Sequence, residues 1–448
     1  MIRDYLRAFP LFSRDSWLIL ATAGLGGFSY SGIYFLLANL LLLRLDYGPE
    51  FIGIFVSAGA LSFAVFSLVA GIVGRRWGGR LSAIAGTAVT AFGIGMLSLA
   101  PLISAEWQPS WLIFFCVLRE FGNAFYMVNV SPLLMAATTP AERGHVFSIR
   151  GAVQPLAAFA GSVVGGGLPG LSARVMGVSA DDPVGYTVAL LVAAAALLPG
   201  VGLLAATRCR QESRPRPVVR IDPRKGSECR RGGSESDSPP RGGTADRLPY
   251  SPIAAMAVVS MLYIAAMAAV LGFVNMYMDQ QLQVSPERIG MAIGAGQLAA
   301  VPVALTMAAL ASRWGYARTF ILAAGGLCVS VLPAALIPSW EGASAGIIGT
   351  TAFSAMAFPA LNVYQQELVS PQWRPIMSGV ALMASALGWT AAASVGGFVI
   401  KAHGYPFLFL VAAAATAAGV IVFWVYSRVP RGEYARGSAS TQEDGTRS

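Results

Sequence analysis

The chain has 448 residues, 55% of them hydrophobic and only 12% charged, with a formal net charge of +9. A soluble domain carries about 25% charged residues, so this composition excludes a disordered chain and argues against a water-soluble one. Four scattered cysteines, Cys116, Cys209, Cys229 and Cys328, form no Cys-x-x-Cys pair and imply no disulfide framework, and two histidines, His145 and His403, are too few for a histidine-built metal centre.

The apolar residues gather into runs long enough to cross a bilayer, which takes roughly 20 residues at about 1.5 Å each. In chain order the predicted helices cover 17–43, 50–74, 81–101, 110–137, 146–169, 185–207, 251–278, 287–311, 319–338, 342–366, 376–400 and 404–427. The first is much longer than a signal-peptide core and has no cleavage site after it, so it is expected to stay. Away from their ends these runs are free of charge except the fourth, which carries Arg119-Glu120. Most lack the polar stripe of a surface helix, and none has the ten-residue alternation of a membrane barrel. Cys116 and Cys328 fall inside apolar runs and read as packing residues.

The expected organisation is an N-terminal segment 1–16, six helices over 17–207, a linker at 208–250, six helices over 251–428, and a disordered tail at 429–448. The linker is rich in Arg, Pro, Ser and Gly, a composition that cannot bury a core. It reads as a flexible tether: six acidic residues are interspersed and no aromatic residues accompany its arginines to stack on bases.

Positive charge is partitioned between the two sets of loops. Of 31 Lys and Arg, 26 lie on the termini, the linker and the alternate loops that share their side, whereas Arg44, Arg174, Arg288 and Lys401 lie on the other side and Arg119 within a helix. This positive-inside pattern predicts a multi-pass protein of the plasma (inner) membrane with both termini and the linker cytoplasmic. It also accounts for the net charge without a nucleic-acid partner.

The two halves repeat each other. Gly71-Ile-Val-Gly-Arg-Arg-Trp-Gly-Gly-Arg80 follows the second run, and Ala308-Ala-Leu-Ala-Ser-Arg-Trp-Gly315 follows the eighth, with Arg313 lying 237 positions after Arg76. Pro140-Ala-Glu-Arg143 and Pro371-Gln-Trp-Arg374 form a second pair 231 apart, each leading to a glycine-rich stretch. Duplication around apolar helices is a common architecture of transporters.

On these residues the chain resembles the major facilitator superfamily over roughly 17–427. The family loop between helices 2 and 3 reads Gly-x-x-x-Asp-Arg-x-Gly-Arg-Arg; Gly71, Arg76, Gly78 and Arg80 match it, while Arg75 replaces the Asp and Ser312 stands there in the second copy, ahead of Arg313, Trp314 and Gly315. The resemblance implies an all-α integral membrane fold of 12 transmembrane helices, in two six-helix bundles related by a pseudo-two-fold axis. It also implies that these loops take part in gating. Arg75 cannot supply the carboxylate that helps lock one conformation in the family. Arg119 with Gly122 partly matches a helix 4 pattern. Helix 5 keeps Gly161, Gly165 and Gly166 of a pattern associated with proton-driven exporters, but has Ser162 for its Pro and Ala157 for its first Gly. Gly161-x-x-x-Gly165 also suits close helix packing.

Candidate chemistry sits in the fourth run. Arg119 and Glu120 are about 14 Å along it at 1.5 Å per residue, near the midplane of a core about 30 Å thick. Ionisable groups at that depth face a cavity or a partner. Asn123 lies at i+4 from Arg119 and i+3 from Glu120, and Tyr126 continues the strip. Glu120 is the only carboxylate in the interior of any predicted helix. Burial opposes its ionised form and Arg119 favours it, so it is a candidate proton carrier. Arg119 would draw an anionic group or pair with Glu120, and a structural ion pair is the alternative role for both. Tyr30, Ser31, Tyr34 and Asn39 in helix 1, Gln154 in helix 5, Asn275 and Tyr277 in helix 7, Gln297 in helix 8, and Asn362, Gln365 and Gln366 in helix 10 extend the polar set. The resemblance places helices 1, 4, 7 and 10 along the path, making Tyr30, Tyr34, Arg119, Asn123, Tyr126, Gln154, Gln297 and Asn362 the candidate substrate contacts.

The expected function is alternating-access transport of a small solute by a monomer in the lipid bilayer, coupled to protons through Glu120 and exporting an apolar or drug-like compound. Uptake of a small neutral metabolite, and a non-transporting sensor or scaffold, are the alternatives. The absence of ionisable groups at mid-depth in the second half points to a neutral or weakly charged solute. No phosphate-binding Gly-x-x-x-x-Gly-Lys-Ser/Thr motif is present, so ATP does not drive the chain directly. No cofactor or metal is expected, and the scarcity of histidine and buried carboxylates argues against an enzyme.

Overall fold

The structure is a computed structural model that describes residues 12–138, 140–179, 181–208, 250–369 and 373–428. Most of the predicted N-terminal segment, nearly all of the linker, the tail and the Arg75 side chain lie outside the described residues. Helix α1 spans Arg14–Arg44, with α2 at Pro49–Trp77, α3 at Gly79–Ser98, α4 at Gln108–Ala137, α5 at Pro140–Met176 and α6 at Pro183–Ala206. Helix α7 follows at Tyr250–Gln280, and a helical stretch over Pro286–Leu336 breaks at Gly315 into α8 (286–314) and α9 (316–336). The last three are α10 at Trp340–Glu367, α11 at Arg374–His403 and α12 at Tyr405–Ser427. Twelve spans among the described residues are long and apolar enough to cross a membrane, as predicted.

The duplicated Arg-Trp-Gly strings are the same turn built twice. Gly78 (φ 94°, ψ 135°) separates α2 from α3, and Gly315 (φ 80°, ψ 160°) separates α8 from α9. Left-handed, extended backbone of this kind is open essentially only to glycine, because a Cβ would collide with its own peptide groups. Arg80, just past the first turn, donates from Nε to the Leu204 carbonyl at 3.3 Å and from Nη2 to the Ala205 carbonyl. It thus caps the carbonyl end of α6, where a cation is favoured by the helix dipole. Arg76 and Arg313 are exposed at the ends of α2 and α8.

Small residues bring helices together within each bundle. A Cβ on Gly86 of α3 would lie 2.6 Å from the Gly122 carbonyl of α4, and the converse holds at the same distance. Gly161 of α5 meets the backbone of Phe28 in α1 so closely that no Cβ fits, in keeping with the packing role expected of that glycine pair.

The bundles meet along α2 with α11 and α5 with α8. Both seams close on glycine. A Cβ on Gly53 would come within 2.5 Å of the Ala393 carbonyl and 3.2 Å of Gly397 Cα; one on Gly166 would come within 2.7 Å of the Pro286 carbonyl and 3.2 Å of Gly290 Cα. Gly290 follows Gly53 by 237 positions and Gly397 follows Gly166 by 231, so the two seams are copies. Among the described residues, the hydrogen bonds and ion pairs between bundles all lie toward the end away from Gly78 and Gly315. The molecule is therefore shut at its Arg-poor end.

Candidate functional site

Between the bundles lies a cavity of about 400 Å3. Phe55 and Phe63 of α2 and Tyr30, Tyr34 and Phe35 of α1 wall one side; Met267 and Leu271 of α7, Phe358 of α10 and Trp389 of α11 wall the other. Phe358 and Leu382 on that wall are 45% and 46% exposed, so the cavity opens toward the Arg-Trp-Gly end.

Its charged groups come from one turn of α4. Glu120 Oε1 accepts from the Tyr30 hydroxyl at 2.7 Å and lies 2.8 Å from Arg119 Nη2, while Oε2 accepts from Asn123 Nδ2 at 3.0 Å. The Arg119 guanidinium carbon sits 4.1 Å from the Tyr34 ring centre and 5.2 Å from that of Tyr30, and these two rings stack at 5.7 Å. Arg119 Nε and Nη1 are buried without a hydrogen-bond partner. The charge is thus balanced by Glu120 and flanked by aromatic faces, which attract a cation, where it borders the cavity.

The presentation of Tyr30 and Tyr34 depends on the local form of α1. Residues Gly27–Tyr34 are π-helical, a wider winding frequent at functional sites. Gly27 and Gly32 in this stretch pack against the α5 backbone at Gln154 and Gly161 where no Cβ fits, leaving the tyrosines to the α4 side.

The remaining predicted residues divide among smaller spaces. Tyr126 and Gln154 line a small chamber of about 30 Å3 with Thr22, Ser31, Thr87 and Thr90, and Tyr30 and Asn123 belong to both chamber and cavity. Asn362 lines a recess of about 20 Å3, near the bond from Gln365 Nε2 to Ser260 Oγ at 3.0 Å. Gln297, half-buried in α8, lies on none of these spaces. Gly71 lies on α2 and the loop arginines at the open end, away from Glu120.

Sequence reasoning missed the apolar wall of Phe55, Phe63, Phe358 and Trp389, because aromatics in a membrane helix carry no mark of facing a cavity. It also missed the ion pair of Arg44 with Asp279, with Nη1 at 2.6 Å and Nη2 at 2.7 Å from the two carboxylate oxygens. A signal existed: opposite charges stand at the ends of the first helix of each half, 235 positions apart.

A sequence model of the Major Facilitator Superfamily matches residues 19–235 and 256–445. The chain belongs to that superfamily. Solved structures with the same fold include a variant of the nucleoside transporter NupG, at 14% identity and a TM-score of 0.67, covering 92% of this chain and 99% of that one. A bacterial homologue of the human lysosomal transporter Spinster, inward-facing and occupied, matches at 13% identity and 0.67 over 92% and 96% of the two chains. A bacterial homologue of the iron transporter ferroportin, inward-facing, matches at 15% and 0.65 over 92% and 98%. At such identities the likeness concerns the fold. No curated protein sequence matches the chain. Membership of this superfamily, with twelve spans of membrane length among the described residues, makes the chain a multi-pass membrane protein of a transporter family.

Proposed function

We propose that the chain is a monomeric, proton-coupled exporter of an apolar or drug-like compound, working by alternating access in the plasma membrane. One observation carries this reading: Glu120, the only carboxylate on the described wall of the central cavity, is held by Tyr30, Asn123 and Arg119 within an otherwise aromatic and aliphatic lining. A carboxyl so placed can take up a proton while remaining hydrogen-bonded, and doing so alters its hold on Arg119 and on whatever occupies the cavity. The paired guanidinium and the uncharged second wall favour a neutral or weakly charged solute. The arginine distribution supports cytoplasmic termini, and on that orientation the cavity opens to the cytoplasm, ready to collect a compound from inside.

The test is a thermal-shift screen of solutes on the purified protein, followed by flux of each hit in proteoliposomes with an imposed pH gradient. Gradient-driven efflux that is lost in Glu120→Gln is the expected result. Flux of a hit that ignores the gradient, or that E120Q leaves unchanged across pH, overturns proton coupling through this residue. Hits driven only inward overturn export and favour the uptake reading.

A further inference from the structure

The Arg-poor end is closed by a pair of bonds that repeat each other across the two halves. Asn39 Nδ2 of α1 donates to the Gly272 carbonyl of α7 at 2.8 Å, and Asn275 Nδ2 of α7 donates to the Leu36 carbonyl of α1 at 3.0 Å. Gly272 follows Leu36 by 236 positions and Asn275 follows Asn39 by the same number. Each half therefore offers the same asparagine and the same carbonyl, three residues apart, and each asparagine takes the other half's carbonyl. This is the residue-i-to-j, j-to-i pattern of a two-fold interface, here within one chain.

Both asparagines are buried, at 7% and 1% exposure, Asn39 in a leucine-rich part of α1 and Asn275 between Val274 and Met276 of α7. Packing alone gives no reason for amides there. An amide buried without a partner is costly, so each one strongly favours the arrangement that satisfies it. Asn275 is fixed further, because its Oδ1 accepts from the Met276 N–H at 3.0 Å. That N–H is the one whose ordinary helical acceptor is the Gly272 carbonyl, the group that Asn39 serves from the other bundle. Asn39 and Gly272 also line the central cavity, whereas Asn275 and Leu36 do not. One bond of the pair is thus in reach of the cavity's contents and the other is sealed behind it.

We propose that Asn39 and Asn275 are positioning residues for the transport cycle: a reciprocal latch that holds the Arg-poor end shut and must be broken, bond by bond, for the cavity to open there. The inference rests on the alternating-access reading above, but its test needs no solute. Because the bonds are neutral and directed at backbone carbonyls, each can be exchanged for water when the end opens. A net intramolecular bond of this kind changes a two-state ratio by about two- to twelvefold.

The experiment is a spin-label distance measurement across the closed end, with labels at Ala105 and Glu341 on the exposed turns of the two halves and the native cysteines replaced by alanine, in lipid nanodiscs. Asn39→Ala and Asn275→Ala should each raise the ratio of long to short distances by about two- to twelvefold, and the double variant should raise it further. Independently, disulfide formation between S57C and S394C, whose native hydroxyls are 2.7 Å apart, should fall in the same order. If the alanine variants lose helicity, N39S and N275S carry the same expectation. A wild-type chain with two distances whose ratio neither variant changes overturns the latch and leaves alternating access standing. One distance in every variant overturns both. A response to only one asparagine overturns the reciprocity, and with it the proposal.

Discussion

Glu120 is the residue on which the proposed chemistry turns, and its three partners do different things. Tyr30 and Asn123 donate directly to its oxygens, whereas Arg119 both pairs with it and lies under the Tyr34 ring. Tyr30→Phe removes one bond to a carboxylate, worth about 1.5–3 kcal/mol, and should lower gradient-driven flux of an identified solute by tenfold or more. Tyr34→Phe keeps the ring over Arg119 and should stay within about twofold of wild type, since the cation–π contact does not use the hydroxyl. Equal losses in the two variants would deny Tyr30 its role. Stability should separate along another line. Arg119 and Glu120 side chains are 5% and 12% exposed, and removing one member of a buried pair costs about 3–5 kcal/mol whereas removing both costs less. Arg119→Leu should therefore melt well below R119L/E120Q, measured by thermal unfolding in one detergent. The adjacent charges and Asn123 were legible in the sequence because charge is so rare in these helices and i, i+3 spacing fixes a face. Tyr30 was named as a solute contact and is found bonded to Glu120. That contact depends on how α1 lies against α4, which spacing within one helix does not report.

Helix number and order were open to reading, since runs of apolar residues of bilayer length leave little alternative. What sets the helices' ends and shapes was legible only where glycine marks it. Gly78 and Gly315 hold φ of 94° and 80° and have open space where a Cβ would go, so replacing either with alanine tests backbone strain alone. Gly78→Ala and Gly315→Ala should each destabilise by about 1–3 kcal/mol. Gly26→Ala is the matched control: its φ is −63°, it too has open space, and alanine there should be neutral or stabilising by up to about 1 kcal/mol. Melting temperatures of the three variants decide the matter, and a Gly315→Ala protein as stable as G26A would remove the reason for the repeated Arg-Trp-Gly. Two further matched positions had no glycine to mark them. Asp46 and Gln283, 237 apart, both adopt positive φ, at 62° and 51°, in the turns after α1 and α7. The π-helical stretch of α1 was not legible at all, because its Gly-Phe-Ser-Tyr-Ser-Gly composition also fits an ordinary membrane helix. It packs closely against α5 at Gly27 and Gly32, a contact between helices that its own residues do not announce.

At the scale of the molecule the duplication is the organising fact, and it extends beyond the strings that announced it. The asparagine latch and the Arg44–Asp279 pair each join positions separated by nearly the repeat length, and the two glycine seams are copies of each other at the same offset, so the closed end is built from matching parts of the two halves. Sequence alone could expose the copies but not that they face each other, because Asn, Gly and Leu at those places are ordinary residues for a membrane helix. The ion pairs at this end are unequal. Arg44 is bound through both terminal nitrogens to Asp279, with side chains 16% and 7% exposed, and also lies 3.2 Å from Asp181. Lys401 and Glu50 meet at 2.6 Å but the lysine is 65% exposed, where water and salt screen the attraction. Only the first pair should therefore govern closure. Ser57 lies buried in the α2–α11 seam at this end, so a cysteine there reports opening through its reaction with a membrane-impermeant maleimide added from the Arg-poor side. Arg44→Asp sets a carboxylate against Asp279 and Asp181 and should raise the labelling rate of S57C by about tenfold, a difference of about 1.4 kcal/mol in the closing equilibrium. The reversed pair R44D/D279R restores attraction between the bundles and should bring the rate back toward that of the parent. Lys401→Ala should leave it within about twofold. A parent-like rate in R44D would mean that the seams and the latch hold the end without the charge pair. Failure of the reversal to rescue would mean that Arg44 acts through its place beside Asp181 and not through Asp279.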